Sequence, residues 1–312
     1  MTRAVLPAMI RPLIEARLPV WLDAQWLATK EEAVALAPTA EIGWFDMFDK
    51  SDIAATMTAA AGVKWLNSIY AGVDHVPLDL LAERGVTYTN GAGINAITIA
   101  EYAVMGMLTV AKGYDQVVRA RDRHEWLQDS PGKVELLGSR ALLLGAGAIG
   151  SLIRTRLEAF GVEVLTVRRT PGTGELGPED WRGKLGGMDW IVIAVPATPA
   201  TDGMIGAAEL AAMKPSAAIV NIARGEVIDQ DALVEALAKK RIAAAFLDVT
   251  APEPLPADHP LWALPNAHIT MHLSGRAQDK MFFRSADRFL ENLDRWHRGE
   301  PLHHVVDLKL GY

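Results

Sequence analysis

The chain has 312 residues, half of them hydrophobic, and a net charge of −7, which is enough apolar material for two domains with cores of their own. It has no long basic block, which argues against a nucleic-acid partner, and no cysteine, which excludes disulfides, thiolate metal sites and a cysteine nucleophile. No uncharged stretch reaches the ~18 residues that a membrane span needs, and the apolar run at 4–10 is broken by Arg11, Glu15 and Arg17 without taking a signal-peptide shape; the expectation is a cytoplasmic protein with no membrane partner.

Up to about residue 95, short apolar runs alternate with helical segments. Strands are expected near 4–6 and over 20–22, 42–45, 65–70 and 86–89, with helices over 31–36, 52–61 and 77–84. Such alternation argues for a parallel sheet. A long helix is expected over 98–112, with Ala103, Val104, Met107 and Leu108 at helical spacing. A charged segment follows over 115–128, and Pro131-Gly132 ends it. Six further strands are expected at 142–144, 162–167, 190–195, 218–222, 243–248 and 268–271, with a helix over 231–240 capped by Asp229. Residues 250–265 carry five prolines and read as a rigid, irregular loop. The segment 281–298 is an amphipathic helix with Phe282, Phe283, Phe289, Leu290 and Leu293 on its apolar side. It follows the last strand of the second lobe, so it is expected to return to the first. The expected fold is therefore α/β, with two Rossmann-like lobes of doubly wound parallel sheet and a cleft between them. Residues 1–96 and 280–312 would form a discontinuous, flavodoxin-like substrate domain, and residues 97–279 a dinucleotide-binding domain.

The motif that carries most information runs Ala141-Leu142-Leu143-Leu144-Gly145-Ala146-Gly147-Ala148-Ile149-Gly150. An apolar strand ends in a G-x-G-x-x-G turn that opens a helix, the context in which this pattern binds a dinucleotide. Gly145 allows the tight turn, Gly147 lets a pyrophosphate approach the backbone, and Gly150 lets helix and strand pack closely. The helix start at Ala148 and Ile149 then offers unpaired N–H groups and a positive dipole end to the phosphates. Beyond the next strand, where an NAD-type chain places the acidic residue that accepts from the ribose, this one has Arg168-Arg169-Thr170. A guanidinium binds a 2′-phosphate through paired donors where a carboxylate would repel it. NADP(H) is therefore the expected cofactor, with NAD(H) as the alternative.

Three polar residues follow the carboxyl ends of three strands in the same sheet: Arg224 after Asn221-Ile222, Glu253 five positions past Asp248, and His272 after Thr270-Met271. Ligands of open α/β sheets bind outside those ends. His268 and His272 form H-x-x-x-H, but the local sequence favours a strand over a helix, so no metal site is expected. Trp126 has two readings, as a helix-packing residue or as an aromatic that reaches a partner subunit. His303 and His304 have no evident partner in the sequence.

At these residues the chain resembles the D-isomer-specific 2-hydroxyacid dehydrogenases. The matching pieces include Tyr70-Ala71-Gly72-Val73-Asp74-His75, Val195-Pro196-Ala197-Thr198-Pro199, Asn221-Ile222-Ala223-Arg224-Gly225, residues 248–254 and residues 266–275. They occur in family order along nearly the whole chain, and the wording around Asp248 and Glu253 is similar to glyoxylate/hydroxypyruvate reductases. The resemblance implies that Arg224 binds the carboxylate and carbonyl oxygen of a small 2-ketoacid or 2-hydroxyacid. It implies that His272 exchanges the proton of that oxygen, that Glu253 orients His272, and that the Ala71 and Gly72 amides grip the carboxylate. Ala223, Pro196, Thr201 and Asp248 would contact the cofactor, and two chains would pair as a homodimer through residues 98–128.

Several residues depart from the family pattern. Met271 replaces the usual proline before the histidine, Ser274 replaces a frequent glycine, and Tyr70 is bulkier than the usual small residue. Trp44, Phe45 and Met47 cluster where a substrate-pocket loop is expected, which suggests an aromatic wall. Glu253 argues against a formate dehydrogenase, where glutamine is typical. A phosphite-type dehydrogenase and a dinucleotide-sensing corepressor remain as alternative functions.

Overall fold

The computed structural model describes all residues except Phe48, Asp74 and Tyr312, and leaves the Lys50 side chain aside. The chain divides into two compact units, one of Met1–Asn95 with Gln278–Tyr312 and one of Ala96–Ala277.

The first unit holds a parallel sheet of five strands: β1 (Thr2–Pro7), β2 (Leu22–Leu27), β3 (Ile42–Trp44), β4 (Trp65–Asn67) and β5 (Thr87–Thr89), in the order β2-β1-β3-β4-β5. This is the flavodoxin-like winding. β1 pairs on both sides, and its Ala4, Val5 and Leu6 are fully buried. The second expected strand was displaced by the polar residues of β2. It begins at Leu22 rather than Val20, which is 97% exposed, and runs through Asp23 and Gln25 because an edge strand needs only one apolar face. The helix Lys30–Leu36 starts at a capping box: Thr29 accepts from the Glu32 amide, and Glu32 from the Thr29 amide. The helix Met281–Arg298 lays Phe289 and Leu293 against Trp44 and Trp65, and ends at Gly299 with φ of 66°. Beyond it the chain runs beside β5, where the Val306 amide donates to the Tyr88 carbonyl.

That packing removes the aromatic wall expected at residues 44–47. Trp44 and Phe45 are both fully buried, in two different core clusters. Successive side chains at a strand end point to opposite faces, so the two rings cannot line one pocket. His303 does find a partner, with Nε2 3.0 Å from Glu291 Oε1.

The second unit holds six parallel strands: β6 (Arg140–Leu144), β7 (Glu163–Val167), β8 (Trp190–Ile193), β9 (Ala218–Asn221), β10 (Ala244–Leu247) and β11 (Ala267–Ile269). Their order is β11-β10-β9-β8-β6-β7, which reverses at β6 and β8. One face packs against Ala148–Ala159 and the 17-residue helix Ala96–Lys112. The other packs against Gln230–Ala238 and the buried Trp181. Asp229 caps Gln230–Ala238 by accepting from the Ala232 amide at 3.0 Å.

Gly113, with φ of 59°, separates Ala96–Lys112 from the helix Tyr114–Asp122. The latter stops six residues short of the expected segment, and His124 turns left-handed at φ of 57°. Trp126 therefore lies on no helix face and is 87% exposed, which discards its helix-packing reading. Among the described residues no helix is long and apolar enough to cross a membrane.

Candidate active site

The glycine turn lies where the strand order of the second unit reverses, the position at which such sheets bind ligands. Gly145 has φ of 96°, and a Cβ there would stand 2.6 Å from the Ala194 carbonyl oxygen. A Cβ on Gly150 would stand 2.0 Å from the Gly145 carbonyl oxygen. Both positions therefore require glycine for close packing. A Cβ on Gly147 would meet nothing within 4 Å, so that backbone faces open space. The helix Ala148–Ala159 begins immediately after it, and the first amides of a helix, here Ala148 and Ile149, have no intrahelical acceptor. A dinucleotide pyrophosphate fits this open, donor-rich turn.

The Gly145 amide donates to the Val167 carbonyl at 3.0 Å, which sets Arg168 and Arg169 beside the turn. The Arg168 guanidinium lies 3.7 Å from Glu175 and is about half exposed. Thr201 Oγ1 donates to the Pro196 carbonyl at 2.7 Å and accepts from the Thr198 amide at 2.9 Å, so its hydroxyl shapes the loop after β8.

Neighbouring strands β9, β10 and β11 carry the other candidates. Arg224 follows β9 in extended backbone, with Nη1 donating to the Ala223 carbonyl at 2.8 Å. Asn221 fixes this bend: Nδ2 donates to the Arg224 carbonyl at 2.8 Å, and Oδ1 accepts from the Ala223 amide at 3.0 Å. Gly225 lets the bend approach the next loop, since a Cβ there would lie 2.1 Å from the Thr250 backbone. Gln230 clamps that loop by bonding the Ala251 amide and carbonyl at 3.0 and 2.6 Å.

Glu253 and His272 meet directly. Glu253 Oε2 lies 2.8 Å from His272 Nδ1, and Oε1 accepts from the Thr250 amide at 3.2 Å. A carboxylate on Nδ1 assigns that nitrogen the proton and leaves Nε2 for a substrate. Asp248, at the end of β10, is 1% exposed. Its carboxylate accepts from Thr270 Oγ1, from the Leu273 and Ser274 amides, and from the Ser274 hydroxyl. A buried anion turns toward the donors that satisfy it, and here those belong to the loop carrying His272.

His268 is part-buried in β11, with Nδ1 4.0 Å from Asp115. Burial lowers its basicity, and the nearby Asp115 carboxylate opposes that effect. Among the described residues no group of three or more histidine, cysteine or acidic side chains is placed to hold a metal.

In the first unit, Ala71 and Gly72 follow β4 in a turn built on a buried acid that no local sequence pattern singles out. Asp46 Oδ2 accepts from the Ile69 amide at 2.5 Å and the Trp44 indole at 2.7 Å, and Oδ1 accepts from Ser68 Oγ at 2.8 Å. Ser68 Oγ in turn accepts from the Tyr70 amide, and Asn90 Nδ2 donates to the Ala71 carbonyl at 2.7 Å. The signal lay in the spacing from Trp44 to Asp46, invisible until β3 and β4 were known to be neighbours. Asp74, in the same family-like stretch, lies outside the described residues.

Residues 104–274 match the family described as D-isomer specific 2-hydroxyacid dehydrogenase, NAD binding domain. A human glyoxylate reductase/hydroxypyruvate reductase is 34% identical over 264 residues, covering 78% of this chain and 77% of that protein. A D-3-phosphoglycerate dehydrogenase of Archaeoglobus fulgidus is 30% identical over 82% of this chain, which spans 49% of that longer protein. Among solved structures, an NADPH-dependent glyoxylate/hydroxypyruvate reductase from Sinorhizobium meliloti in complex with citrate superposes with a TM-score of 0.81 at 26% identity, covering 99% of this chain and 98% of that one.

Burial pushes the Asp46 carboxyl up to about 6, from an ordinary 3.8. The folded chain thus holds this proton more tightly than the unfolded chain does. The resulting stabilisation is present below the unfolded value and is lost as pH rises through the folded one. Asp46→Asn removes the titration. The stability of the parent relative to this variant should therefore rise by about 1 kcal/mol between pH 7 and pH 5. Urea unfolding at the two pH values measures it, and a flat or falling difference would show Asp46 ionised throughout.

Proposed function

The chain belongs to the D-isomer specific 2-hydroxyacid dehydrogenase family, and we propose that it reduces a small 2-ketoacid such as glyoxylate or hydroxypyruvate to the D-2-hydroxyacid, with NADPH preferred over NADH. The observation that carries this reading is the 2.8 Å pair of His272 Nδ1 and Glu253 Oε2, beside a strand whose end bears Arg224. The name of the human relative supports the substrate class.

A bound reduced nicotinamide supplies a hydride to the carbonyl carbon. His272 Nε2 delivers a proton to the oxygen that gains charge, and takes it back in the oxidative direction. Glu253 holds the ring by its 2.8 Å contact with Nδ1, which fixes the orientation in which Nε2 meets the substrate. Arg224 presents a planar fork to the substrate carboxylate and meets the developing oxyanion. The Ala71 and Gly72 amides add donors for the same carboxylate. They have no acceptor among the described residues.

His272→Gln should reduce kcat by about 10²–10⁴-fold while leaving the KM for NADPH largely unchanged. Steady-state kinetics with a panel of ketoacids, each paired with its uncharged amide or methyl ketone, provides the test. Parent-like turnover in the variant would remove the acid–base role, and equal kcat/KM for the uncharged analogues would remove the substrate class.

The preference for NADPH rests on Arg168 and Arg169 beside the glycine turn, with no acidic residue at either position. The Ala148, Ile149 and Ala223 backbones and the loop from Pro196 to Thr201 complete the proposed cofactor contacts. Losing one charge-assisted contact costs about 1.5–3 kcal/mol, so Arg168→Asp should lower kcat/KM for NADPH by roughly tenfold or more and spare NADH. Equal kcat/KM for the two cofactors in the parent would overturn the preference.

A homodimer is supported by Met105, Tyr114, Val117, Trp126 and Leu137, which expose apolar surface along one stretch of the second unit. Light scattering at micromolar concentration should give twice the 33.8 kDa chain mass. A mass of one chain would discard both the dimer and any role for Trp126 in a partner's site.

A further inference from the structure

His272 stands on an unusual stretch of backbone. Met271 and His272 are consecutive non-glycine residues with φ of 54° and 55°. A Cβ makes the left-handed region unfavourable, so such a pair persists only where its surroundings hold it. A proline at position 271 could not take this path, because its ring fixes φ near −65°. The segment before His272 therefore follows a route that a proline at 271 could not take.

The constraint on it comes from Asp248 and Ser274. The Asp248 carbonyl accepts from the His272 amide at 2.5 Å. Its Oδ1 accepts from Thr270 Oγ1 at 2.8 Å, the Leu273 amide at 3.0 Å and the Ser274 amide at 3.2 Å. Its Oδ2 is held by the Ser274 hydroxyl, with the Ser274 amide farther off at 3.4 Å. Both residues are buried. Thr98, on the helix Ala96–Lys112, places its hydroxyl 3.2 Å from the Ser274 carbonyl and 2.8 Å from that of Ala277. Without the Ser274 hydroxyl, Oδ2 would keep one long contact, and a buried carboxylate so exposed would turn to seek another donor. Turning it withdraws Oδ1 from the three donors that flank His272.

We propose that Ser274 is a positioning residue for His272: its hydroxyl locks the Asp248 carboxylate, and the locked carboxylate holds the left-handed turn that keeps His272 Nδ1 on Glu253. The role rests on the acid–base reading of His272.

The test is a double-mutant cycle with glyoxylate and NADPH. Ser274→Ala in the parent should lower kcat about tenfold, with the KM for NADPH within twofold of the parent value as evidence of an intact cofactor unit. On the His272→Gln background the same change should alter kcat by less than twofold, because its effect passes through the histidine. Met271→Pro in the parent should lower kcat at least tenfold. A Ser274→Ala variant with kcat within twofold of the parent, an equal loss on both backgrounds, or a parent-like Met271→Pro variant would each overturn the proposal. Parent-like kcat in His272→Gln alone would instead overturn the acid–base reading and remove Ser274's role with it.

Discussion

A buried carboxylate must fill its lone pairs, and in each unit of this protein one such carboxylate organises the chain at the carboxyl end of a parallel sheet. Asp248 lies just past β10 and gathers donors from the turn that follows its neighbour β11. Asp46 lies just past β3 and gathers donors from the turn that follows its neighbour β4. The geometry is the same in both. Parallel neighbours end at the same level, so an acidic side chain leaving one strand meets the amides of the next chain segment as it bends away. Each acid thereby converts a flexible exit into a defined one. The exits held in this way carry His272 in one unit and Ala71 with Gly72 in the other.

The surrounding loops are fixed by the same logic, with neutral side chains in place of acids. Asn221 closes the bend at Arg224, Gln230 clamps the loop at Ala251, and Asn90 holds the Ala71 carbonyl. Each is a side-chain amide that donates to one carbonyl and accepts from a nearby backbone amide. A flat, two-ended group of this kind can pin a backbone segment without adding charge.

Much of this was legible in the sequence because it depends on local pattern. The alternation of apolar runs with helical segments revealed the parallel sheets, and the glycine turn announced itself through its strand and helix. The His272–Glu253 contact joins residues 19 positions apart and became readable only through resemblance to known motifs. What escaped was the chemistry that depends on which strands are neighbours. Asp46 looks like any acid after a short apolar run until β4 is placed beside β3. Trp44 and Phe45 suggested a pocket wall because sequence adjacency hides the alternation of strand faces. β2 was missed beyond Leu22 because Asp23 and Gln25 interrupt its apolar pattern, although an edge strand tolerates them.

Cofactor choice illustrates why a local reading of charge is incomplete. Arg168 has a partner in the folded chain, the Glu175 carboxylate at 3.7 Å, so a 2′-phosphate would compete for it. Glu175 is also bound elsewhere, its Oε2 accepting from the Gly172 amide at 2.8 Å, and it keeps that bond if the arginine turns away. The pair is long and half exposed on the arginine side, a geometry worth about 0–1 kcal/mol in water. A phosphate monoester offers nearly two charges and short, paired hydrogen bonds, worth about 1.5–3 kcal/mol per contact. On the proposed NADPH reading, the exchange would favour the phosphate, by a margin that Glu175 narrows. Because Glu175 holds part of the Arg168 charge, the NADPH preference proposed for this chain should be smaller than two adjacent arginines alone would suggest.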